Sequence, residues 1–554
     1  MTVAEAVGRC LVAHGVDHVF GVVGSGNFHV TNAMIAAGAR FVAAAHEGGA
    51  ASMADGYARV SRRLAALSVH QGPGVTNALT GIVEAAKSRT PMVVLAPEAT
   101  SARSNFHVDL PAVAAAIGAG YRRVTAASVV AEVGEACRGA RAGAGQLIVL
   151  GMPLDVQAEP AGDAAALARI AEEAGGDADR GGDPAAIARL VDALAAARRP
   201  VFIAGRGASR HPAAARAQLT ALADRVGALL AVSAAAKGLF AGDPWYLDVS
   251  GGFATPIAAE LVAQADLIVA WGSTLNMWTT RHGALIGRGA VVAQVDLNAA
   301  ALGVHRAVDL AICGDVCAVA QACTDELARR ALPARAGWRG PALRARIAAQ
   351  GRWRAVAFAD EVGDGRIDPR RLSIALDDAL PAERTVVIDS GNFMGYPAMF
   401  LEVPDSAGFC FTQAFQSVGL GLASALGAAV ARPDRLTVAA LGDGGFLMSA
   451  SELATAARLA LPLVVVVYND AAYGAEVHHF GPHGHPLGTV TFADTDLAAI
   501  ARGFGCAGAT VRAPGDLAVV ADWLAGPRDR PLVIDAKVTS ARPSWWLEEA
   551  FRGH

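Results

Sequence analysis

Residues 441–476, LGDGGFLMSASELATAARLALPLVVVVYNDAAYGAE, contain the pattern that decides the fold. The glycine-rich segment 442–445 predicts a turn at a strand end, with backbone at positive φ and the Asp443 carboxylate beside exposed N–H groups. Apolar residues at helical spacing follow, and then the unbroken apolar run 463–467, which is typical of a parallel strand covered on both faces. That strand ends at Asn469 and Asp470, where a second oxygen ligand returns beside Asp443. Two oxygen side chains, a backbone carbonyl and phosphate oxygens suit Mg²⁺, so the stretch predicts a magnesium–diphosphate site.

The same residues resemble the diphosphate motif of thiamine diphosphate (ThDP) enzymes. In the decarboxylase and acetolactate synthase branch of that family, the second metal side chain lies 27 positions after the motif aspartate, which is Asp470 here. The resemblance implies that Asp443 and Asp470 bind Mg²⁺ with the carbonyl of Ala472. Many relatives carry asparagine where this chain has Asp470, so an additional negative charge is expected. The remaining residues that the motif assigns to cofactor binding are Gly442, Gly444, Gly445, Tyr473 and Gly474. An ordinary glycine-rich turn of a Rossmann-like unit is the alternative interpretation.

Composition and charge narrow the functional classes. A chain of 554 residues with 53% hydrophobic content predicts several domains with large buried cores. The formal charge of −4 gives no reason to expect nucleic acid or an anionic membrane as a partner. We expect a cytoplasmic protein, because the N-terminus has no basic leader and no stretch is apolar enough to span a bilayer. The seven cysteines lack the spacing of a zinc site and are interpreted as free thiols.

Residues 1–160 alternate helical and strand patterns and are predicted to form the first α/β domain. Polar residues follow the ends of its predicted strands, where open α/β sheets place ligands. The segment 46–59, HEGGAASMADGYAR, resembles the pyrimidine-binding segment of ThDP enzymes and identifies Glu47 as the glutamate that bonds to N1′ of the aminopyrimidine. Such a carboxyl favours the imino tautomer that deprotonates the thiazolium carbon. A glutamate that only complements the dipole of a helix start is the alternative.

Two loops of this domain resemble benzoylformate decarboxylase. Ser25 and His70 lie where that enzyme has an active-site serine and histidine, whereas acetolactate synthases usually carry small residues at the histidine position. The resemblance makes Ser25 and His70 catalytic candidates, and an imidazole there could assist decarboxylation or donate a proton. A histidine that caps the following turn is the alternative. Gly26, Gln71 and His107 are predicted to line the substrate pocket, and His107 departs from the glutamine-bearing loop of acetolactate synthases.

The segment 158–186 is rich in alanine, glycine and acids and is predicted to be a linker with one helix. A middle α/β domain over residues 185–335 follows. Relatives bind FAD or ADP in this domain, and Asp296 after a predicted strand could hold a ribose hydroxyl. The motif here has only Gly205 and Gly207, so a middle domain without a nucleotide is favoured. A cavity-lining role is one hypothesis for Asn276, Arg281 and His282.

A second linker, residues 332–368, leads to a third α/β domain over residues 366–545, with a tail at 546–554. Ser390, Gly391 and Asn392 follow its first strand and suit a diphosphate approach. The segment 411–429 resembles the part of ThDP enzymes that bends the cofactor, and its bulky apolar residue falls on Val418, 25 positions before Asp443. Packed between the two rings, Val418 would bring the 4′-nitrogen toward the thiazolium carbon. The same alignment implies that the carbonyl of Gln416 accepts from the 4′-amino group.

The segment after the metal turn contributes further candidates. Glu476 matches the proton-handling glutamate of pyruvate-type decarboxylases and is predicted to be catalytic and pocket-lining. His479 is a pocket candidate in the cluster HHxxxHxH at 478–485, which is interpreted as a solvated loop rather than a metal site. The tail contains Trp545 and Trp546, and either a lid or a packing role is open.

The resemblance covers nearly the whole chain and implies three Rossmann-like, parallel-sheet α/β domains that bind the pyrimidine, occupy the middle and bind the diphosphate. It also implies a homodimer or homotetramer with active sites at the subunit interface. The expected reaction is decarboxylation of a small 2-oxo acid to an enamine, followed by addition to a second carbonyl, as in acetolactate synthase-like carboligases. The alternative is a non-oxidative decarboxylase that releases an aldehyde. An FAD-dependent oxidase, an acyl-CoA lyase and a catalytically silent homologue are less favoured.

Overall fold

The computed structural model describes residues 1–167, 181–361, 363 and 365–550, with backbone only for residues 548–550. Three six-stranded sheets succeed one another along the chain. All the paired strands are parallel, as expected when helices connect successive strands. The predicted α/β class with three parallel sheets is therefore confirmed.

The N-terminal sheet has the strand order β2-β1-β3-β4-β6-β5. Its first helix begins at a capping box in which Thr2 accepts from the Glu5 N–H and the Glu5 side chain accepts from the Thr2 N–H. The strands are β1 His18–Gly21, β2 Arg40–Ala43, β3 Ala65–Ser68, β4 Met92–Glu98, β5 Gly120–Arg123 and β6 Leu147–Pro153. The helices are α1 Val3–Ala13, α2 Phe28–Ala36, α3 Glu47–Ser61, α4 Pro73–Lys87, α5 Leu110–Ala116 and α6 Val129–Arg141.

The middle sheet has the order β12-β11-β10-β7-β8-β9. Its strands are β7 Pro200–Ala204, β8 Leu229–Val232, β9 Tyr246–Val249, β10 Leu267–Trp271, β11 Val291–Asp296 and β12 Leu310–Cys313. Its helices are α7 Pro184–Ala196, α8 Pro212–Val226, α9 Pro256–Ala263, α10 Met277–Thr280 and α11 Val316–Arg329. The segment that was predicted to be the second linker contains a helix of its own, α12 Pro341–Gln350.

The glycines of the middle sheet's first loop are used for packing. A Cβ at Gly205 would lie 2.4 Å from the carbonyl oxygen of Gly272, and one at Gly207 would lie 2.7 Å from the Gly272 Cα. Asp296, at the end of β11, accepts the N–H of Asn298 at 2.9 Å. These contacts account for the two glycines and for one oxygen of the acid.

The C-terminal sheet has the order β14-β13-β15-β16-β18-β17. Its strands are β13 Arg384–Ile388, β14 Phe409–Phe411, β15 Leu436–Gly442, β16 Leu463–Asn469, β17 Ala507–Val511 and β18 Leu532–Lys537. Its helices are α13 Pro369–Ala379, α14 Gly395–Phe400, α15 Gly421–Ala431, α16 Asp443–Ser449, α17 Glu452–Arg458, α18 Gly474–Phe480, α19 Leu497–Gly503, α20 Ala518–Ala525 and α21 Trp545–Ala550. Every residue of β16 is buried, as its apolar run predicted.

The N-terminal and C-terminal sheets share one hydrophobic core, in which α3 packs on α15. The helices approach closely because glycines face the opposing backbone. A Cβ at Gly56 would lie 2.3 Å from the carbonyl oxygen of Ser424, and one at Gly427 would lie 2.0 Å from that of Met53. Any larger residue at either glycine would force the two helices apart.

The prediction of positive φ in the turn 442–445 is wrong, because these glycines are not among the residues with positive φ and α16 begins directly at Asp443. Residues 168–180 of the first predicted linker lie outside the described residues, as do residues 551–554 of the tail. Among the described helices, none has both the length and the apolar character needed to cross a membrane.

Candidate active site

The two halves of the predicted metal motif lie side by side at the C-terminal edge of the third sheet. Strands β15 and β16 are neighbours, with Gly442 opposite Tyr468. The chain continues from β15 into α16 at Asp443, and from β16 through Asp470 into α18 at Gly474. The parallel arrangement therefore places Asp443 and Asp470 at the same edge, as their spacing predicted.

The electrostatics of this pair indicate a cation site. Burial raises the pKa of the Asp443 carboxyl to about 6, although N–H groups of Gly444 and Ala472 favour the charged form. Burial and the neighbouring Asp443 raise the pKa of Asp470 to about 8. Two buried carboxyl groups that disfavour each other's charge are stabilised by a divalent cation. No group of three or more His, Cys, Asp or Glu side chains placed to hold a metal occurs among the described residues, so a cation held by this pair would need other oxygens to complete its coordination shell.

The Asn469 side chain is used in hydrogen bonds within the protein. Asp470 therefore remains as the second side chain that could bind a metal beside Asp443. The Asn469 amide donates to Asp535 at 2.8 Å, and its oxygen accepts from the Ala471 N–H at 3.1 Å. Ala471 has a φ of 59°. The next residue, Ala472, forms an isolated bridge to Thr491 that uses the Ala471 carbonyl and the Tyr473 N–H, so the carbonyl of Ala472 takes no part in that pairing.

Glycines line this edge because side chains of neighbouring turns come very close. A Cβ at Gly444 would lie 2.4 Å from the Tyr473 ring, and one at Gly474 would lie 2.4 Å from an Asp470 oxygen. A Cβ at Gly445 would lie 2.3 Å from Oδ2 of Asp389. The glycine positions of the motif are thus sterically required.

Asp389 fixes the segment that was predicted to bend the cofactor. It is fully buried, and its carboxyl accepts the N–H groups of Ser390, Gly419 and Leu420 at 2.8 to 3.3 Å. Burial raises its pKa to about 6. Val418 precedes the anchored residues, and its Cγ1 lies 3.3 Å from the Cβ position of Gly445. Val418 is therefore held against the metal turn, and Gln416 is held in a left-handed conformation with φ of 62°.

Asn392 joins the diphosphate edge to the C-terminal segment. Gly391 has a φ of 145°, and the Asn392 amide nitrogen lies 3.2 Å from the Cβ position of Gly474. The Asn392 carbonyl accepts from the Ser544 hydroxyl at 2.6 Å and from the Trp546 indole at 2.9 Å. Ser390 follows β13 at the same edge. The start of the tail thus packs onto the chain's own diphosphate edge.

The N-terminal loops bring the other pocket candidates together. The Gly26 N–H donates to Nδ1 of His70 at 3.3 Å, and the His70 ring packs edge-on against Phe106 at 5.7 Å. Gln71 is buried, its side-chain oxygen lies over Gly26, and that oxygen has no hydrogen-bond partner among the described residues. Ser25 and His107 are exposed beside this cluster. Because Nδ1 of His70 accepts, the proton of the neutral imidazole is on Nε2.

Glu47 is the first residue of α3 and is half-buried. Its carboxylate accepts from the Asn77 amide at 3.1 Å. In the described part of the chain, no hydrogen bond or ion pair joins Glu47 to Asp443 or Asp470. Glu476 is exposed on α18, and His479 packs against Phe480 on the same helix. The candidates therefore fall into an N-terminal group and a diphosphate-edge group.

A cavity of about 420 Å³ lies in the middle unit after β10 and β11. Asn276, His282, His305 and Arg306 contribute to its lining. Arg281 instead packs over the Trp545 ring at 4.8 Å and donates to the carbonyls of Gly251 and Ala254. Two of the three residues that were hypothesised to line a cavity thus do so.

Sequence analysis missed two buried glutamates, Glu84 and Glu452, that contact the segments carrying Gln416 and Glu47. Their hydrogen-bond partners lie 330 and 406 positions away in the chain. No local sequence pattern predicts contacts between residues so far apart in the chain.

Comparisons with known proteins agree with this geometry. Three models of "Thiamine pyrophosphate enzyme" domains match: the N-terminal TPP binding domain at residues 1–113, the central domain at 187–323 and the C-terminal TPP binding domain at 389–536. A sulfoacetaldehyde acetyltransferase of Rhodobacter capsulatus is 30% identical over 93% of this chain and 90% of its own. A "Probable 2-ketoarginine decarboxylase" of Pseudomonas aeruginosa is 32% identical with the same coverage, and an acetolactate synthase of Bacillus subtilis is 27% identical.

A solved structure shows the same fold. The thiamine diphosphate-dependent 4-hydroxybenzoylformate decarboxylase of Rhodococcus jostii superposes with a TM-score of 0.81, over 97% of this chain and 99% of its own, at 22% identity. At that identity the likeness concerns the fold alone.

Proposed function

Given that this chain belongs to the thiamine pyrophosphate enzymes, we propose that it binds ThDP with Mg²⁺, decarboxylates a 2-oxo acid and protonates the remaining carbon, which releases an aldehyde. The observation that carries the last step is the hydrogen bond from Gly26 to Nδ1 of His70. It leaves the proton of the neutral imidazole on Nε2, which can donate a hydrogen bond to the substrate or to a water that delivers the proton.

The residues at the diphosphate edge fit the cofactor. Asp443, Asp470 and the Ala472 carbonyl would hold Mg²⁺, and phosphate oxygens would supply the ligands that the protein lacks. Ser390, Gly391, Asn392 and the glycines of the metal turn would lie along the diphosphate. The raised pKa values of Asp443 and Asp470 support this assignment, because the buried pair is short of positive charge.

When bound, ThDP supplies a nucleophilic carbon and an electron sink that make loss of CO₂ from a 2-oxo acid possible. Val418 would hold the cofactor bent, and the Gln416 carbonyl would accept from its 4′-amino group. Glu47 would share a proton with N1′ of the pyrimidine ring. Asp389 stabilises the loop that carries Val418 and Gln416, because the backbone N–H groups of Gly419 and Leu420 donate to its carboxyl.

The pocket residues would act on the substrate. His70 would hold, by a hydrogen bond from Nε2, the water that gives a proton to the carbon that has lost CO₂ and takes one back when the aldehyde is released. Ser25 would lie beside it. The unpartnered oxygen of Gln71 is an acceptor for a substrate hydroxyl or a bound water. Glu476 and His479 on α18, and His107 after Phe106, would border the entrance.

Carboligation is the second candidate, and it was favoured by the sequence. The relatives include an acetolactate synthase and several sulfoacetaldehyde acetyltransferases, and the name of the second class states the transfer of an acetyl group. In that case His70 and Glu476 would shape the acceptor site instead of assisting protonation of the product.

We also propose a homodimer or homotetramer. Large apolar side chains are exposed near the site segments, among them Phe106, Phe415, Leu447 and Met448, each more than 40% accessible. A second copy of the chain would cover them and bring its Glu47 to this diphosphate edge.

The test is incubation with ThDP, Mg²⁺ and a panel of 2-oxo acids, pyruvate and benzoylformate included, with CO₂ and products followed by mass. Free aldehyde with CO₂ supports the decarboxylase. A coupled hydroxyketone or an acyl transfer product would contradict the decarboxylase and support the carboligase. CO₂ release from none of the acids, by protein with bound cofactor, contradicts both.

A further inference from the structure

Two buried glutamates reach across the interface between the first and third sheet units in opposite directions. Glu84, on α4, extends to the C-terminal unit, and Glu452, on α17, extends to the N-terminal unit. Each is 1% exposed. Each accepts two backbone N–H groups from the opposite unit, an arrangement that fixes a loop's position more firmly than one contact.

Glu84 contacts the segment that is proposed to hold the cofactor's pyrimidine. Its Oε1 accepts the Ala414 N–H at 3.0 Å and its Oε2 accepts the Phe415 N–H at 2.6 Å. The next residue is Gln416, held at positive φ, and Val418 follows two positions later. Glu84 therefore sets the backbone position immediately before the residues that would contact the aminopyrimidine.

Arg59 completes this contact. Its guanidinium donates to Glu84 at 2.6 Å and to the Phe411 carbonyl at 2.8 Å. Asp55 pairs with the same guanidinium at 2.8 Å, and Thr90 donates to Asp55 at 2.6 Å. Of these four side chains, Glu84 contacts the backbone at 414–415, whereas Thr90 and Asp55 lie on the far side of the cluster.

Glu452 makes the opposite contact. Its two oxygens accept the Ala45 N–H at 3.2 Å and the His46 N–H at 3.0 Å, directly before Glu47. A Cβ at Gly49 would lie 2.0 Å from the Glu452 Oε1, so the first turn of α3 is built around this carboxylate. Glu452 also lies nine residues after Asp443 in the chain.

We propose that Glu84 and Glu452 are positioning residues of the ThDP site, with Glu84 setting the Gln416–Val418 loop and Glu452 setting the backbone before Glu47. This inference rests on the proposed function. Neither glutamate touches the cofactor, and each acts through the segment that its carboxylate holds. A displacement of such a segment by about 1 Å is enough to lower turnover on the order of 100-fold.

Glutamine is the informative replacement. It keeps the size of the side chain, but its NH₂ group would face an N–H group that the glutamate oxygen accepts, so one of the two hydrogen bonds becomes a donor–donor contact. Two control variants disturb the same surroundings without touching residues 45–46 or 414–415. Thr90→Val removes the hydrogen bond to Asp55, and Arg458→Ala removes a hydrogen bond from α17 to the Ala43 carbonyl.

The experiment measures ThDP affinity in the presence of Mg²⁺, kcat and KM for the 2-oxo acid, and the melting temperature of the cofactor-free protein. Glu84→Gln is expected to weaken ThDP binding about 10-fold or more and to change the near-ultraviolet circular dichroism of the bound cofactor. Glu452→Gln is expected to lower kcat about 10- to 100-fold with nearly unchanged KM. Thr90→Val and Arg458→Ala should keep ThDP affinity and kcat within about threefold of wild type.

A purely structural role predicts a different result, in which all four variants lose activity in proportion to their loss of melting temperature. That result overturns the proposal, as does wild-type cofactor affinity and turnover in both glutamine variants. If a glutamine variant does not fold, the aspartate variant at the same position withdraws the carboxylate by one methylene while keeping its charge, and the same expectations apply. Wild-type protein that neither binds ThDP nor releases CO₂ would instead refute the proposed function.

Discussion

The Gly26 N–H donates to Nδ1 of His70 at 3.3 Å, and this hydrogen bond joins the first loop of the chain to the loop after β3. The contact is tight, because a Cβ at Gly24 would lie 2.8 Å from the imidazole ring. Phe106 packs edge-on against the same ring. The imidazole is therefore held from two sides with one tautomer favoured, and its Nε2–H is a positioned hydrogen-bond donor.

Replacement of His70 by alanine is expected to lower kcat for aldehyde release on the order of 100-fold, because assistance to a proton transfer contributes about that much. The affinity for ThDP should stay unchanged, since the hydrogen bond and the ring contact described for His70 are to Gly26 and Phe106 of the N-terminal loops. His29→Ala is the matched control, because His29 is exposed on α2. Turnover of His70→Ala at the rate of this control would exclude a role of His70 in proton delivery.

Gly445→Ala is expected to abolish ThDP binding at concentrations that saturate wild type. The new methyl group would lie 2.3 Å from the Asp389 Oδ2 and 3.3 Å from Val418, so both the loop and the metal turn must move. Gly488→Ala serves as the control, because a Cβ there meets nothing within 4 Å. Titration of ThDP with Mg²⁺ measures both variants. Equal affinities in the two would show that the Gly445 contacts do not shape the site.

Asp389 makes stability depend on pH in a defined direction. Burial raises its pKa from 3.8 to about 6 in the folded protein. The folded state therefore binds the proton more tightly than the unfolded state, and this group's contribution to stability is lost as pH rises from about 4 through 6. The difference corresponds to roughly 3 kcal/mol.

The corresponding measurement compares melting temperatures of cofactor-free wild type and Asp389→Asn between pH 4.5 and 7.5. Asparagine does not titrate, so the destabilisation caused by the variant should shrink as pH rises. A destabilisation that stays constant between pH 4.5 and 7.5 would mean that Asp389 is ionised throughout this range in the folded protein.

The sequence was informative where function depends on local pattern. The run 463–467 predicted a doubly covered parallel strand, and β16 is buried along its whole length. The interval between Asp443 and Asp470 predicted that both lie at one sheet edge, since parallel strands end together. The sequence predicted the wrong reason for the glycines of the turn 442–445. Positive φ was expected at 442–445, but Gly444 and Gly445 are required by close contacts with Tyr473 and Asp389.

Contacts between distant parts of the chain could not be predicted from the sequence. Glu84 and Glu452 carry no motif, and their roles appear only when α3 and α15 pack together. The interpretation of the tail was also open, because indole side chains suit a lid and a packed core equally well. The hydrogen bond from Trp546 to the Asn392 carbonyl shows that the tail's start packs onto the diphosphate edge.

The most direct test of the central claim measures CO₂ release by Glu47→Gln at saturating ThDP and Mg²⁺. The substrate is a 2-oxo acid that the wild-type protein turns over. Glutamine preserves the size of the side chain but cannot share a proton with the pyrimidine nitrogen. The account predicts that the variant still binds ThDP and loses turnover by about 100-fold or more. Near-wild-type CO₂ release by Glu47→Gln would contradict the assignment of Glu47 and the ThDP chemistry proposed for this chain.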